Sequence, residues 1–106
     1  MGKLVYDGTA RLTTGDRELA HLQFVISEKQ RRGEPFTFTW PNRLDEGGGR
    51  LCVWINASTS LIFTFDNRGP FSLNPEWLKV LAEAAHSPGG LQLLPEPEPE
   101  ETTEDA

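Results

Sequence analysis

The hydrophobic period of the chain changes abruptly at Gly33-Glu34-Pro35, and that change constrains the fold more than any other feature. Before it, Leu19, Leu22, Val25 and Ile26 recur at helical spacing and mark one apolar stripe. After it, Phe36, Phe38 and Trp40 alternate with Thr37 and Thr39, the two-residue beat of a half-buried strand. Asp16 is placed to cap the helix with its side-chain oxygen, and Glu18 sits in the positive first turn. Arg31 and Arg32 fall in the last turn, where the dipole favours cations. Gly33 can take the left-handed conformation that closes a helix, and Pro35 prevents its continuation. One amphipathic helix therefore runs directly into one aromatic strand.

The flanking sequence adds elements of both kinds. Residues 3–6 and 9–13 read as two strands joined by Asp7-Gly8, a strong hairpin signal because a tight hairpin turn needs positive φ at both positions. Residues 50–55 form a near-continuous apolar run, expected to be a strand buried on both faces and central in its sheet. Residues 60–65 form another strand. Asn74-Pro75-Glu76 combines a cap, a proline at the first helical position and a first-turn acid. It opens a helix whose stripe is Trp77, Leu78, Leu81, Ala84 and Ala85, and residues 91–94 close with a short strand. The order is β-β-α-β-β-β-α-β. The expected class is α+β, an antiparallel or mixed sheet of five to six strands with two helices on one face.

The chain has 106 residues, enough for one domain. Residues 1–95 form that domain. Residues 96–106 alternate Pro with Glu, carry no aromatic or large aliphatic side chain, and read as a disordered acidic tail. The net charge of −6 belongs to this tail, which holds six of the sixteen acids. The other ten acids balance all ten Lys and Arg within residues 1–95. An anionic partner is therefore not excluded by the low pI. The one cysteine, Cys52, rules out an intramolecular disulfide and a cysteine-built zinc site within one chain. With no signal-like run and no stretch of membrane-spanning length, the expected location is the cytoplasm, away from membranes.

No motif carries recognisable catalysis, and neither a metal nor a cofactor is expected. Lys3, Asp7, Gly8 and Arg11 resemble the nucleotidyltransferase pattern Lys-x-Asp-Gly-x-Arg, but the spacing is longer on both sides. Lys3 and Asp7 then lie ~13 Å apart along a strand. Gly47-Gly48-Gly49 opens onto a strand rather than a helix N-terminus, where phosphate loops converge their amides. Asp45-Glu46 beside it reads as a solvated pair. Ser27, Ser60 and Ser72 lack a nucleophile elbow. His21 and His86 are placed on the solvent sides of their helices.

Two surfaces remain as candidates. Projection at ~100° per residue groups Arg17, His21, Phe24, Glu28 and Arg31 opposite the apolar stripe of the first helix. Phe24 is the exception on that face: either a loop covers it or it is an exposed aromatic at a partner surface. Lys29, Arg31 and Arg32, joined in space by Arg43 and Arg50, would form a nucleic-acid patch.

The runs Lys3-Leu4-Val5-Tyr6-Asp7-Gly8, Leu19-Ala20-His21-Leu22-Gln23, Arg31-Arg32-Gly33-Glu34 and Ser87-Pro88-Gly89-Gly90-Leu91 resemble a family of small stand-alone actinobacterial proteins. The likeness spans nearly the whole chain. Members are mostly uncharacterised, and many carry an automatic label of ATP-dependent DNA ligase. The resemblance implies no catalytic residue here. A ligase needs several nucleotide-binding motifs and usually an oligonucleotide-binding domain, more than this chain can hold. The function expected is a small non-enzymatic binding or interaction module with a protein partner. The alternative is a nucleic-acid-associated accessory domain connected with that label.

Overall fold

The computed structural model describes residues 1–98. Its strands are β1 (Gly2–Tyr6), β2 (Ala10–Thr14), β3 (Phe36–Pro41), β4 (Arg50–Ile55), β5 (Leu61–Thr64) and β6 (Leu91–Gln92). Its helices are α1 (Asp16–Arg32) and α2 (Pro75–His86), with one short 3-10 turn at Leu44–Glu46. The element order is the one expected. The acidic tail begins at Glu96, and its residues 99–106 lie outside the described residues.

The six strands divide into two sheets of three. One has the order β2-β1-β5, antiparallel throughout. The other has the order β4-β3-β6, with β4 antiparallel and β6 parallel to β3. The division arises because β5 returns to β1 instead of lying beside β4. At the β1–β2 hairpin, Asp7 and Gly8 both take positive φ, 49° and 72°, as the turn requires.

β3 is the centre of its sheet, and its alternation is the one the sequence marks. Phe36, Phe38 and Trp40 point into the core while Thr37 and Thr39 are half-buried. They meet Leu19, Leu22, Val25 and Ile26 of α1 and Trp77, Leu81 and Ala85 of α2 in one cluster, to which the first sheet contributes Leu4 and Leu12. Gly90 lets β6 approach β3: with φ at 82°, a Cβ there would stand 2.6 Å from the Thr37 carbonyl oxygen.

Two expectations are corrected. β4 is not central and not buried on both faces. It is an edge strand with Arg50, Cys52 and Trp54 exposed, because it finds a partner only in β3. Asp16 is not the cap of α1. Gly15 holds the extended cap position, and Asp16 is the first helical residue. Its carboxylate instead accepts the backbone N–H groups of Asp66 (3.1 Å) and Asn67 (2.8 Å), pinning the loop after β5 to the helix start. At the other end, left-handed Gly33 closes α1 as expected: Gly33 N–H reaches Gln30 O and Glu34 N–H reaches Lys29 O.

Candidate partner-binding surface

α1 and α2 pack side by side and run in the same direction. Their starts meet where His21 approaches Asn74, and their ends meet where Lys29 and Arg32 approach His86. A groove of about 710 Å³ lies between them. Phe24, Val25, Leu78 and Ala82 supply its apolar surface, and Glu28, Lys29, Arg32, Glu34, Glu83 and His86 its charged and polar rim. Phe24 is 44% exposed, so no loop covers it. A second depression of about 460 Å³ lies on its other side, bounded by Ala20, Gln23, Phe71 and Leu73. Phe24 is thus a ridge with a concavity on each flank.

The five residues grouped by projection do not share one environment. His21 is the clear correction: it is fully buried, not on the solvent side. Asn74 N–H donates to His21 Nε2 at 2.8 Å, so Nε2 carries no proton, and Nδ1–H donates to the Arg17 carbonyl at 2.7 Å. The ring lies 4.4 Å from the Trp77 ring, centroid to centroid. Both nitrogens are committed, which leaves no free ring atom for a partner or a reaction. The same network satisfies the start of α2, where Asn74 Oδ1 accepts Glu76 N–H at 3.0 Å.

Arg17 is committed as well. Its Nε and Nη2 donate to the two Glu96 oxygens at 2.9 and 2.6 Å, and its Nη1 donates to the Ser72 carbonyl at 2.7 Å. Asn74 Nδ2 donates to Glu96 and to the Pro97 carbonyl. The Arg17 guanidinium, followed by the Asn74 amide, lowers the Glu96 carboxyl pKa to about 2. The start of the acidic segment is therefore fastened to both helix starts. A carboxyl with its pKa lowered by folding stabilises the protein above the ordinary carboxylate range and loses that contribution as pH falls through the folded value. The melting midpoint of the wild type is expected to fall more steeply than that of Glu96→Gln between pH 4.5 and pH 2. Parallel pH curves would show that the clamp adds nothing.

Of the projected face, Arg17, Phe24 and Arg31 are exposed and Glu28 is half-buried, with Glu28 and Arg31 forming an i,i+3 ion pair. The basic residues are not gathered into one patch. Lys29 bonds Glu34 at 3.1 Å, and that contact holds the Glu34 carboxyl below its ordinary range. Arg43 bonds Asp45 at 3.0 Å and likewise lowers the Asp45 pKa. Lys29, Arg31 and Arg32 lie at the end of α1, where β3 begins, whereas Arg43 and Arg50 follow the far end of β3. In the glycine loop, Gly47 and Gly48 N–H donate to Leu44 and Arg43 carbonyls, so these amides turn inward rather than toward a phosphate.

Among the described residues, no group of three His, Cys, Asp or Glu side chains is arranged to hold a metal, and no helix is long and apolar enough to cross a membrane. Fold and surface together define a small two-sheet α+β domain with a groove of about 710 Å³ between its two helices. The chain belongs to the family described as a domain of unknown function, DUF7882, whose model matches residues 1–96. That match ends on Glu96, the residue clamped by Arg17 and Asn74. No curated protein and no solved structure matches the chain.

Proposed function

We propose that the domain is a non-enzymatic interaction module that docks a protein partner across the outer faces of α1 and α2, with Phe24 as the anchor. The single observation that supports this most is the exposed Phe24 ring standing between two concavities. Aromatic anchors beside apolar hollows, ringed by charge, are the arrangement found at interface centres. The groove volume also lies within the range of formed binding sites, roughly 300–1,000 Å³. Ala82 is exposed in the groove and outside the core cluster. Ala82→Arg is expected to fill the groove, leave the melting transition in place and abolish retention of a protein that the wild type retains from its native extract. Equal retention by both would remove the groove from the function.

The nucleic-acid reading has weaker support, since Lys29, Arg31 and Arg43 each face a carboxylate at close range. It requires salt-dependent retention of DNA or RNA, because phosphate contacts release counterions. The ligase activity suggested by the family resemblance requires a covalent lysyl-adenylate on incubation with labelled ATP. Neither is expected.

A further inference from the structure

β4 has the composition of an interior strand and the position of an edge. Its residues read Arg-Leu-Cys-Val-Trp-Ile, with one charge and no proline. Its pairing with β3 runs unbroken from Phe36↔Ile55 to Pro41↔Arg50, so no bulge turns the edge away. Charges, prolines and bulges are the devices that keep sheet edges from pairing with another chain. Of the other edges, β2 carries exposed Arg11 and Thr13, β5 is uncharged but only four residues long, and β6 has only two residues. On β4, Cys52 is exposed and Trp54 is 55% exposed.

The direction of the backbone groups follows from the ladder. In an antiparallel pair, residues bonded to the partner strand alternate with residues whose groups point away. Asn42 N–H donates to Gly49 O at 2.9 Å and extends the β3–β4 ladder by one step. Leu51, Val53 and Ile55 therefore bond to β3, and Arg50, Cys52 and Trp54 aim their N–H and C=O outward. The Tyr6 hydroxyl donates to the Trp54 carbonyl at 3.1 Å from that outward side and closes this one acceptor. The remaining outward groups form a short ladder centred on Cys52.

We infer that β4 pairs antiparallel with β4 of a second copy of this chain, about a twofold axis at Cys52, joining two β4-β3-β6 sheets into one of six strands. Self-complementarity identifies the occupant. In this register the two Cys52 residues exchange N–H and C=O, and each Trp54 N–H meets an Arg50 carbonyl of the other copy. The side chains of Arg50, Cys52 and Trp54 emerge on one face. Each guanidinium therefore lies beside an indole of the other copy, a cation–π pair, and no like charges oppose. The contact is isologous, so every interaction is made twice. β4 then occupies the interior position that its sequence describes.

The test is sedimentation of the full chain under reducing conditions, followed by reaction with a bis-maleimide. Wild type and Cys52→Ser are expected to sediment at twice the mass of one chain. Cys52→Lys sets two like charges opposite each other and is expected to be monomeric while keeping a cooperative melting transition. The bis-maleimide, each of whose two alkenes adds one thiol S–H, is expected to convert the wild type to a covalent dimer on a denaturing gel and to leave Cys52→Ser unlinked. Opposed side chains of a hydrogen-bonded pair have Cβ atoms ~5.5 Å apart, wider than the ~3.5–4.5 Å of a relaxed disulfide and within reach of a two-ended linker. The cross-link is read on the wild type and does not depend on a variant folding. A monomeric wild type at the highest soluble concentration, a dimer that survives Cys52→Lys, or a dimer that the bis-maleimide does not link would each overturn the inference.

Discussion

Phe38→Ala is expected to cost about 3–5 kcal/mol and to lower the urea midpoint in proportion. Phe38 is fully buried at the middle of β3, beside Trp40 at a ring-centroid distance of 5.1 Å. Both helices pack into the same cluster, so they cannot collapse onto the vacated volume without leaving their own contacts. A typical domain has only 5–15 kcal/mol of total stability, which makes this one side chain a large share. Thr37→Ala, one residue away and half-buried on the opposite face of β3, is the control and should cost far less, about 1 kcal/mol or less. Urea melts of the two variants distinguish them. Equal midpoints would mean that the inward face of β3 is assigned backwards.

The second large effect is expected at His21. His21→Ala removes the acceptor for Asn74 N–H, the donor to the Arg17 carbonyl and the ring packed at a tilt against Trp77. Buried partners left unpaired, together with the cavity, are expected to cost about 2–4 kcal/mol. The loss should be felt at the start of α2, since Asn74 both caps that helix and donates to His21. Gln23→Ala, exposed on the same helix, should be near neutral. If the two variants melt alike, His21 does not fasten α1 to α2.

These two residues differ in how far the sequence announces them. Phe38 stands in a period-two run with Thr on both sides, and the alternation alone assigns its face. α1 is as plain, because its stripe and its closing Gly33 lie within one local window. Asn74-Pro75 likewise carries its cap in adjacent residues. His21 projects toward the polar side of α1, and its burial comes from the start of α2, fifty-three residues further on. No local period encodes that meeting. The place of β4 was hidden for the same reason. Its apolar run records a strand fit for an interior, but the choice of β1 as the partner of β5 belongs to the tertiary fold. Glu96 sits in a stretch whose composition is that of a solvated tail, and only the positions of Arg17 and Asn74 turn it into a clamp.

Of the candidate surface, Phe24 was legible and its neighbourhood was not. Its helical angle marked it as an aromatic on a charged face. The groove beside it depends on α2 lying alongside α1, which the sequence of α1 does not contain.

The central claim is that Phe24 serves a partner rather than the core. The most direct measurement takes Phe24→Ser and reads two quantities on the same preparation: the midpoint of the urea melt and retention of the partner captured by the wild type. The account predicts a midpoint near that of the wild type, because the ring is exposed and outside the core cluster, together with loss of the partner. A midpoint lowered as far as that of Phe38→Ala, or a stable variant that retains every partner, would contradict it.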